Sequence, residues 1–309
     1  MKFTLFLLFV NAFTYSFSQS DKDVVSLLAF WNKGDTIDYR VTKIKTTHTN
    51  GFLVKNDSTV FDAKFIVLDT TETGYRIKWQ YKVDFSQMNI SEKLEIELAD
   101  FALTEAIYTT DNHGSFIAME NWEEIAEKAD KMYTIIMNSS SNNTSKSKED
   151  FYKLISPLQT QLGIEQIVFK ELQYLHFGYG IEYDPLETYT FQEEIPNLLG
   201  EQPIRSQVKL YVDSIDNSNS FFVLKHETEL NDSDMKNLVL SVLEKTDFNK
   251  RKIKKELKTA LFSITDSDTF AYFYYPGIPY NIKTKRKTRI YMDGNNTEVT
   301  EIYRIKLIE

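Results

Sequence analysis

The sequence predicts an α+β fold in which antiparallel β-sheets pack against helices. Three observations carry that prediction. Residues 61–83 read as strand, polar turn and strand, with Tyr75, Ile77, Trp79, Tyr81 and Val83 pointing one way and Arg76, Lys78, Gln80 and Lys82 the other. Such alternation belongs to an antiparallel sheet with one buried and one wet face. A looser copy of the pattern spans residues 208–230, and the segments between the two carry apolar residues at helical intervals.

Taken in order, the chain opens with Lys2, an apolar run over residues 3–13 and small residues at Ser16 and Ser18. This is the pattern of a secretory signal peptide over residues 1–18, too short for a membrane span. Residues 19–137 form a first sheet-plus-helix half. In it Val24, Leu27, Leu28 and Trp31 stand at helical spacing before Gly34, and Ile37, Tyr39 and Val41 alternate as a strand. Residues 48–58 read as a long hairpin loop around the turn pair Asn50-Gly51. A helix from Ser91 follows, with a strand as the alternative, and then a hairpin turning at Asp111-Asn112-His113-Gly114. Asn121 and Glu124 are spaced as a capping pair for a helix whose buried side is Trp122, Ile125, Ala129, Met132, Tyr133 and Ile136.

Residues 138–148 are rich in Ser and Asn and lack apolar side chains, which marks a linker. Residues 149–180 read as a helical hairpin, with Pro157 starting or kinking a helical piece, Gly163 closing it, and Ile164, Val168, Leu172 and Leu175 along the next buried face. Residues 181–309 then repeat the outline of the first half. They include Tyr189 and Phe191, the hairpin at 208–230, a helix capped by Asn231, a basic helix near 249–258, and closing strands at 269–275, 287–292 and 299–308. A duplication and the ordinary recurrence of hairpins both account for two related halves; the face registers of the copies do not match throughout.

A chain without cysteine has no disulfide, thiolate metal ligand or thiol nucleophile. An exported protein of this kind must be held by its core. The net charge of −9 speaks against nucleic-acid binding, which depends on neutralising phosphates. With 22 Phe and 18 Tyr against 10 Gly and 6 Pro, the composition is that of a folded, strand-rich protein. No stretch beyond the signal is apolar and long enough to span a bilayer, so the mature chain is expected to carry no integral membrane segment.

Catalytic motifs are missing: no G-x-S-x-G elbow, no phosphate-cradling loop and no dinucleotide fingerprint occurs. His226-Glu227 begins like a zinc-protease motif, but Leu230 stands where the second ligand belongs and the segment has strand periodicity. No catalytic or metal-ligating residue and no cofactor is therefore assigned. His113 reads as a turn residue. The lysines at 250–258 read as the solvated face of a helix, with anionic lipid as the alternative partner. Phe270, Tyr272, Phe273, Tyr274 and Tyr275 place aromatic rings on both faces of one strand, the mark of a central strand or of a lined cavity. His176 and Tyr179 lie beside the apolar face of their helix. His176, Tyr179, Tyr272 and Tyr274 are the candidate lining of an apolar-ligand site.

The signal ending Ser-Phe-Ser-Gln, the strand, Asn-His-Gly turn and strand before Asn121-Trp122-Glu123-Glu124, and the helix ending Leu175-His176 together resemble uncharacterised exported proteins of Bacteroidetes-type Gram-negative bacteria. That resemblance implies a periplasmic or extracellular location and brings no site residues. The reading that follows is an exported, soluble, non-enzymatic protein that binds an unknown protein or envelope component. The alternatives are a carrier of an apolar ligand such as a lipid, held between sheet and helices, and a hydrolase built on Asp, Glu and His.

Overall fold

The computed structural model describes residues 24–87, 90–139, 149, 152–153, 155–199, 202–244, 255–257 and 259–308. The expected signal peptide at 1–18, most of the expected linker at 138–148 and most of the expected basic helix near 249–258 lie outside the described residues.

Eleven strands form one antiparallel sheet. In chain order they are β2 (Thr36–Thr49), β3 (Phe52–Thr71), β4 (Gly74–Lys82), β5 (Leu103–Asp111), β6 (Phe116–Met119), β8 (Thr188–Ile195), β9 (Ile204–Asp216), β10 (Phe221–Leu230), β11 (Leu261–Phe273), β12 (Ile278–Met292) and β13 (Asn295–Leu307). The spatial order is β6-β5-β4-β3-β2-β13-β12-β11-β10-β9-β8. The short strands β1 (Val25–Ser26) and β7 (Glu182–Tyr183) pair separately. The described helices are α1 (Glu92–Leu98), α2 (Trp122–Ser139), a broken helical segment running from Ser156 to Leu175, and the helix Asp232–Glu244.

The α+β expectation, with sheets in two related halves, is thus corrected. Strands dominate the chain, and both halves contribute to a single sheet joined where β2 pairs with β13. The strand runs are also longer than their apolar cores suggested. Residues 48–58 are mostly ladder, because Asn50 and Gly51 at φ 51° and 85° close the turn between Thr49 and Phe52 alone.

The sheet is strongly curled. A flat sheet would hold β5 and β11 roughly 29 Å apart, at ~4.8 Å per strand. Yet His176 meets Tyr108 of β5 at 5.2 Å between ring centres, and its neighbour Phe177 meets Phe270 of β11 at 4.3 Å. The concave face closes on the segment Lys170–Leu175 and the turn after it, burying Tyr39, Phe65, Trp79, Tyr108, Phe222, Phe270 and Tyr272 in one core with Phe169, Leu172 and Leu175.

Residues 24–31, expected as a helix, run extended along the floor of this trough. Val25, Leu27, Ala29 and Trp31 are buried while Val24 and Phe30 are exposed, so the segment obeys a period of two. Its backbone bonds to the turns at either side: Ala29 N–H to the His113 carbonyl at 2.8 Å and Phe30 N–H to the Pro276 carbonyl at 3.1 Å. The convex face carries cross-strand ion pairs such as Arg40–Asp62 (2.8 Å) and Lys64–Asp38 (2.6 Å). Among the described residues, no helix is long and apolar enough to cross a membrane.

Candidate functional site

At one corner of the sheet, β4 leads through Val83 and Phe85 into α1, and β5 and β6 lead into α2. Ser91 caps α1, its hydroxyl accepting from the Leu94 N–H at 3.3 Å, so that Leu94 and Leu98 fall on one face. Along α2, Ile125, Ala129, Met132 and Ile136 face the same space, but of the side expected to be buried only Ile125 is, and Ile136 is exposed. Glu124 hydrogen-bonds Asn121 at the start of α2, and the Asn121 side-chain amide also bridges β5, accepting from Ile107 N–H (2.8 Å) and donating to the Glu105 carbonyl (3.0 Å).

Phe85, Leu94, Leu98 and Ala102 make a cluster of their own, apart from the main core. Between that cluster and the sheet lies a cavity of about 350 Å³. Leu94, Leu98, Phe101, Ile125, Ala129 and Met132 form its walls, and Tyr81, Val168 and Phe169 its floor. Phe169 is reached through a π-helical turn, Ile164–Val168, a local widening of the helix that often accompanies a site. The polar rim consists of Thr104, Glu105 and Lys128, the last two engaged with Lys78 at 3.2 Å and Glu124 at 2.7 Å. Burial drives the Tyr81 phenol far above its ordinary range, so it stands as a neutral hydroxyl.

Further along the concave face the lining turns polar. Arg286 holds Asp266 through two hydrogen bonds of 2.7 and 2.6 Å, and the buried Asp268 lies 3.2 Å from the His226 ring. Lys43 reaches Glu171 at 3.3 Å, and Glu171 is fully buried. Neither Lys43 nor Glu171 was singled out from the sequence. A signal existed: Glu171 falls between Val168 and Leu175 on the apolar stripe, and Lys43 continues the inward set Ile37, Tyr39 and Val41.

The four residues expected to line an apolar site do gather. Ring centres of His176 and Tyr179 are 5.8 Å apart, Tyr179 and Tyr272 6.1 Å, and Phe222 bridges Tyr272 and Tyr274. They sit in the main core rather than around the cavity. Three of the polar tips bond within the protein: His176 to Tyr108 (2.8 Å) and the Gly114 carbonyl (2.7 Å), Tyr179 to the Gly277 carbonyl (2.8 Å), and Tyr272 to the Phe177 carbonyl (2.7 Å). Burial lowers the His176 pKa to about 4, so the ring is neutral. His113 occupies the expected turn, whose backbone N–H groups converge on Asp111. Among the described residues no three His, Cys, Asp or Glu side chains converge as metal ligands.

No family model matches the chain, and no curated protein matches it. Among solved structures it is similar to the crystal structure of Ail, the attachment invasion locus protein of Yersinia pestis. The identity is 5%, over 90% of this chain and 100% of that one, with a TM-score of 0.14. At that TM-score the likeness carries no weight for fold or role.

Proposed function

We propose that this chain is an exported, non-enzymatic binding protein that carries an apolar ligand in the cavity beneath α1 and α2. The cavity itself carries the reading. Its volume of about 350 Å³ is roughly twice the ~150 Å³ that accommodates a benzene molecule and falls in the range of small-molecule sites. Aliphatic and aromatic side chains make almost all of its wall. The α1 side of the cover packs as a cluster separate from the main core, whereas α2 is anchored to that core through Trp122, Ile125 and Ala126, so α1 can part without breaking the sheet. The charged convex face supports a soluble carrier, and the apolar N-terminal run after Lys2 supports export.

The purified protein is expected to bind the neutral fluorophore N-phenyl-1-naphthylamine, and denaturing extraction followed by mass spectrometry is expected to release apolar compounds. Ala129→Trp, which fills the cavity from α2, should weaken fluorophore binding by about tenfold or more with an unchanged circular dichroism spectrum. Absence of fluorophore uptake together with an empty extract would refute the carrier.

Contact with an envelope component has an observation of its own. Phe52, Leu53 and Val54 follow the β2–β3 turn and are all exposed, Phe52 at 76%. Consecutive exposed apolar residues at a hairpin tip favour docking against another surface.

A further inference from the structure

A carboxylate removed from water needs its lone pairs answered by the protein. Glu171 is fully buried; its Oε2 faces the Lys43 ammonium at 3.3 Å, while Oε1 has no hydrogen-bond partner. Charge-assisted N–H···O bonds usually close to ~2.7–2.9 Å, and the exposed pair Lys64–Asp38 reaches 2.6 Å. A loose contact thus stands where a tight one would matter most. Lys43 also lies 5.3 Å from the ring centre of Phe61 and 5.2 Å from that of Tyr303, inside the ~6 Å reach of a cation–π interaction. Phe61 in turn stacks at 4.5 Å on Tyr81, which floors the cavity. A buried anion and two aromatic faces therefore form a cation pocket one ring removed from the apolar cavity, loosely filled by a side chain of the same chain.

We infer that the ligand is a primary alkylammonium amphiphile whose tail enters the cavity and whose ammonium displaces Lys43 to donate to both oxygens of Glu171. This rests on the carrier reading. The exchange leaves the buried charge balanced, because one ammonium replaces another. The Lys43 side chain is already 28% exposed and borders a cleft of about 190 Å³ shared with Asp57 and Glu301. Its flexible stem can move there on release. A carboxylate head would meet the buried Glu171 as a like charge and be rejected.

The test displaces N-phenyl-1-naphthylamine from the purified protein at pH 7 with submicellar dodecylamine, dodecanol or dodecanoate. In the unmodified protein dodecylamine should bind about tenfold more tightly than the other two, the scale of one charge-assisted hydrogen bond. Glu171→Gln should remove that preference and keep fluorophore uptake. Lys43→Met, which retains the apolar stem and removes the competing ammonium, should tighten dodecylamine by about another tenfold and leave dodecanol unchanged. An ion pair that serves only the fold predicts no tightening in Lys43→Met. Equal affinities for the three amphiphiles, an unchanged preference in Glu171→Gln, or no tightening in Lys43→Met would overturn the headgroup assignment while fluorophore uptake preserves the carrier. Loss of all uptake in the unmodified protein would overturn both. Should Glu171→Gln fail to fold, Lys43→Met decides the question alone.

Discussion

Trp79 offers the sharpest test of the core. It is 0% exposed, faces Phe65 and Ala106 across the neighbouring strands, and packs 6.0 Å from the Tyr39 ring. Its indole N–H is buried without a partner. Trp79→Ala should cost about 3–5 kcal/mol, for lost contacts plus the cavity left behind. That is a large part of the ~5–15 kcal/mol of a typical domain. With a urea slope near ~3 kcal/mol/M, a loss of about 4 kcal/mol moves the unfolding midpoint by roughly 1.3 M. Trp79→Phe behaves differently. It gives up some apolar area but removes the orphan donor, whose burial costs about 1–3 kcal/mol, so its midpoint should fall within about 0.3 M of the parent. Urea titrations followed by circular dichroism make the comparison. Should Phe cost as much as Ala, the indole N–H is hydrogen-bonded after all and the orphan-donor reasoning fails.

Two further predictions concern the turns that close the trough. His176 is neutral when folded, with its pKa lowered to about 4 by burial, whereas the unfolded ring titrates near ~6.5. The unfolded state therefore binds more protons between these values. Stability from His176 is complete above pH 6.5 and drains away as pH falls toward 4, by about 3 kcal/mol in all. The difference in stability between pH 7 and pH 4 should be smaller by that order in His176→Gln, and equal differences would show that the ring is not held neutral. Gly277 stands at φ +74°, where an added Cβ would meet the Leu28 carbonyl oxygen at 1.8 Å, and its own carbonyl accepts from both Trp31 (3.0 Å) and Tyr179 (2.8 Å). Gly277→Ala should lower the melting temperature by several degrees, through about 2 kcal/mol or more of backbone strain; an unchanged melting curve would refute the close approach.

How much of this was legible follows from what each signal measures. Alternation in residues 75–83 identified the inner face of β4 correctly, because burial on one side of a strand writes itself into every second residue. The same rule was present at Val25, Leu27, Ala29 and Trp31, but Val24, Leu27, Leu28 and Trp31 fit a helix equally well, and only the hydrogen bonds to His113 and Pro276 decide between them. Strand ends near Thr46 and Ser58 carry few apolar residues, since the sheet there extends past its core, so composition alone made them a loop. The aromatic strand around Tyr272 was read as either central or cavity-lining, and the Tyr272 hydroxyl turns out to bond the Phe177 carbonyl within the core. The cavity was out of reach because it depends on how α1 and α2 sit against β4 and β5, a distance that no single segment encodes. Glu171 and Lys43 share that obstacle: they are 128 positions apart and acquire meaning only when the sheet curls.

The pairing of β2 with β13 bears on how the molecule is made. Strand β13 is inserted between β2 and β12, so the two flanks of the sheet are joined only once it is in place. Assembly of that seam waits for contacts between residues some 250 positions apart, as in Thr49 beside Thr297, and such distant closures are slow.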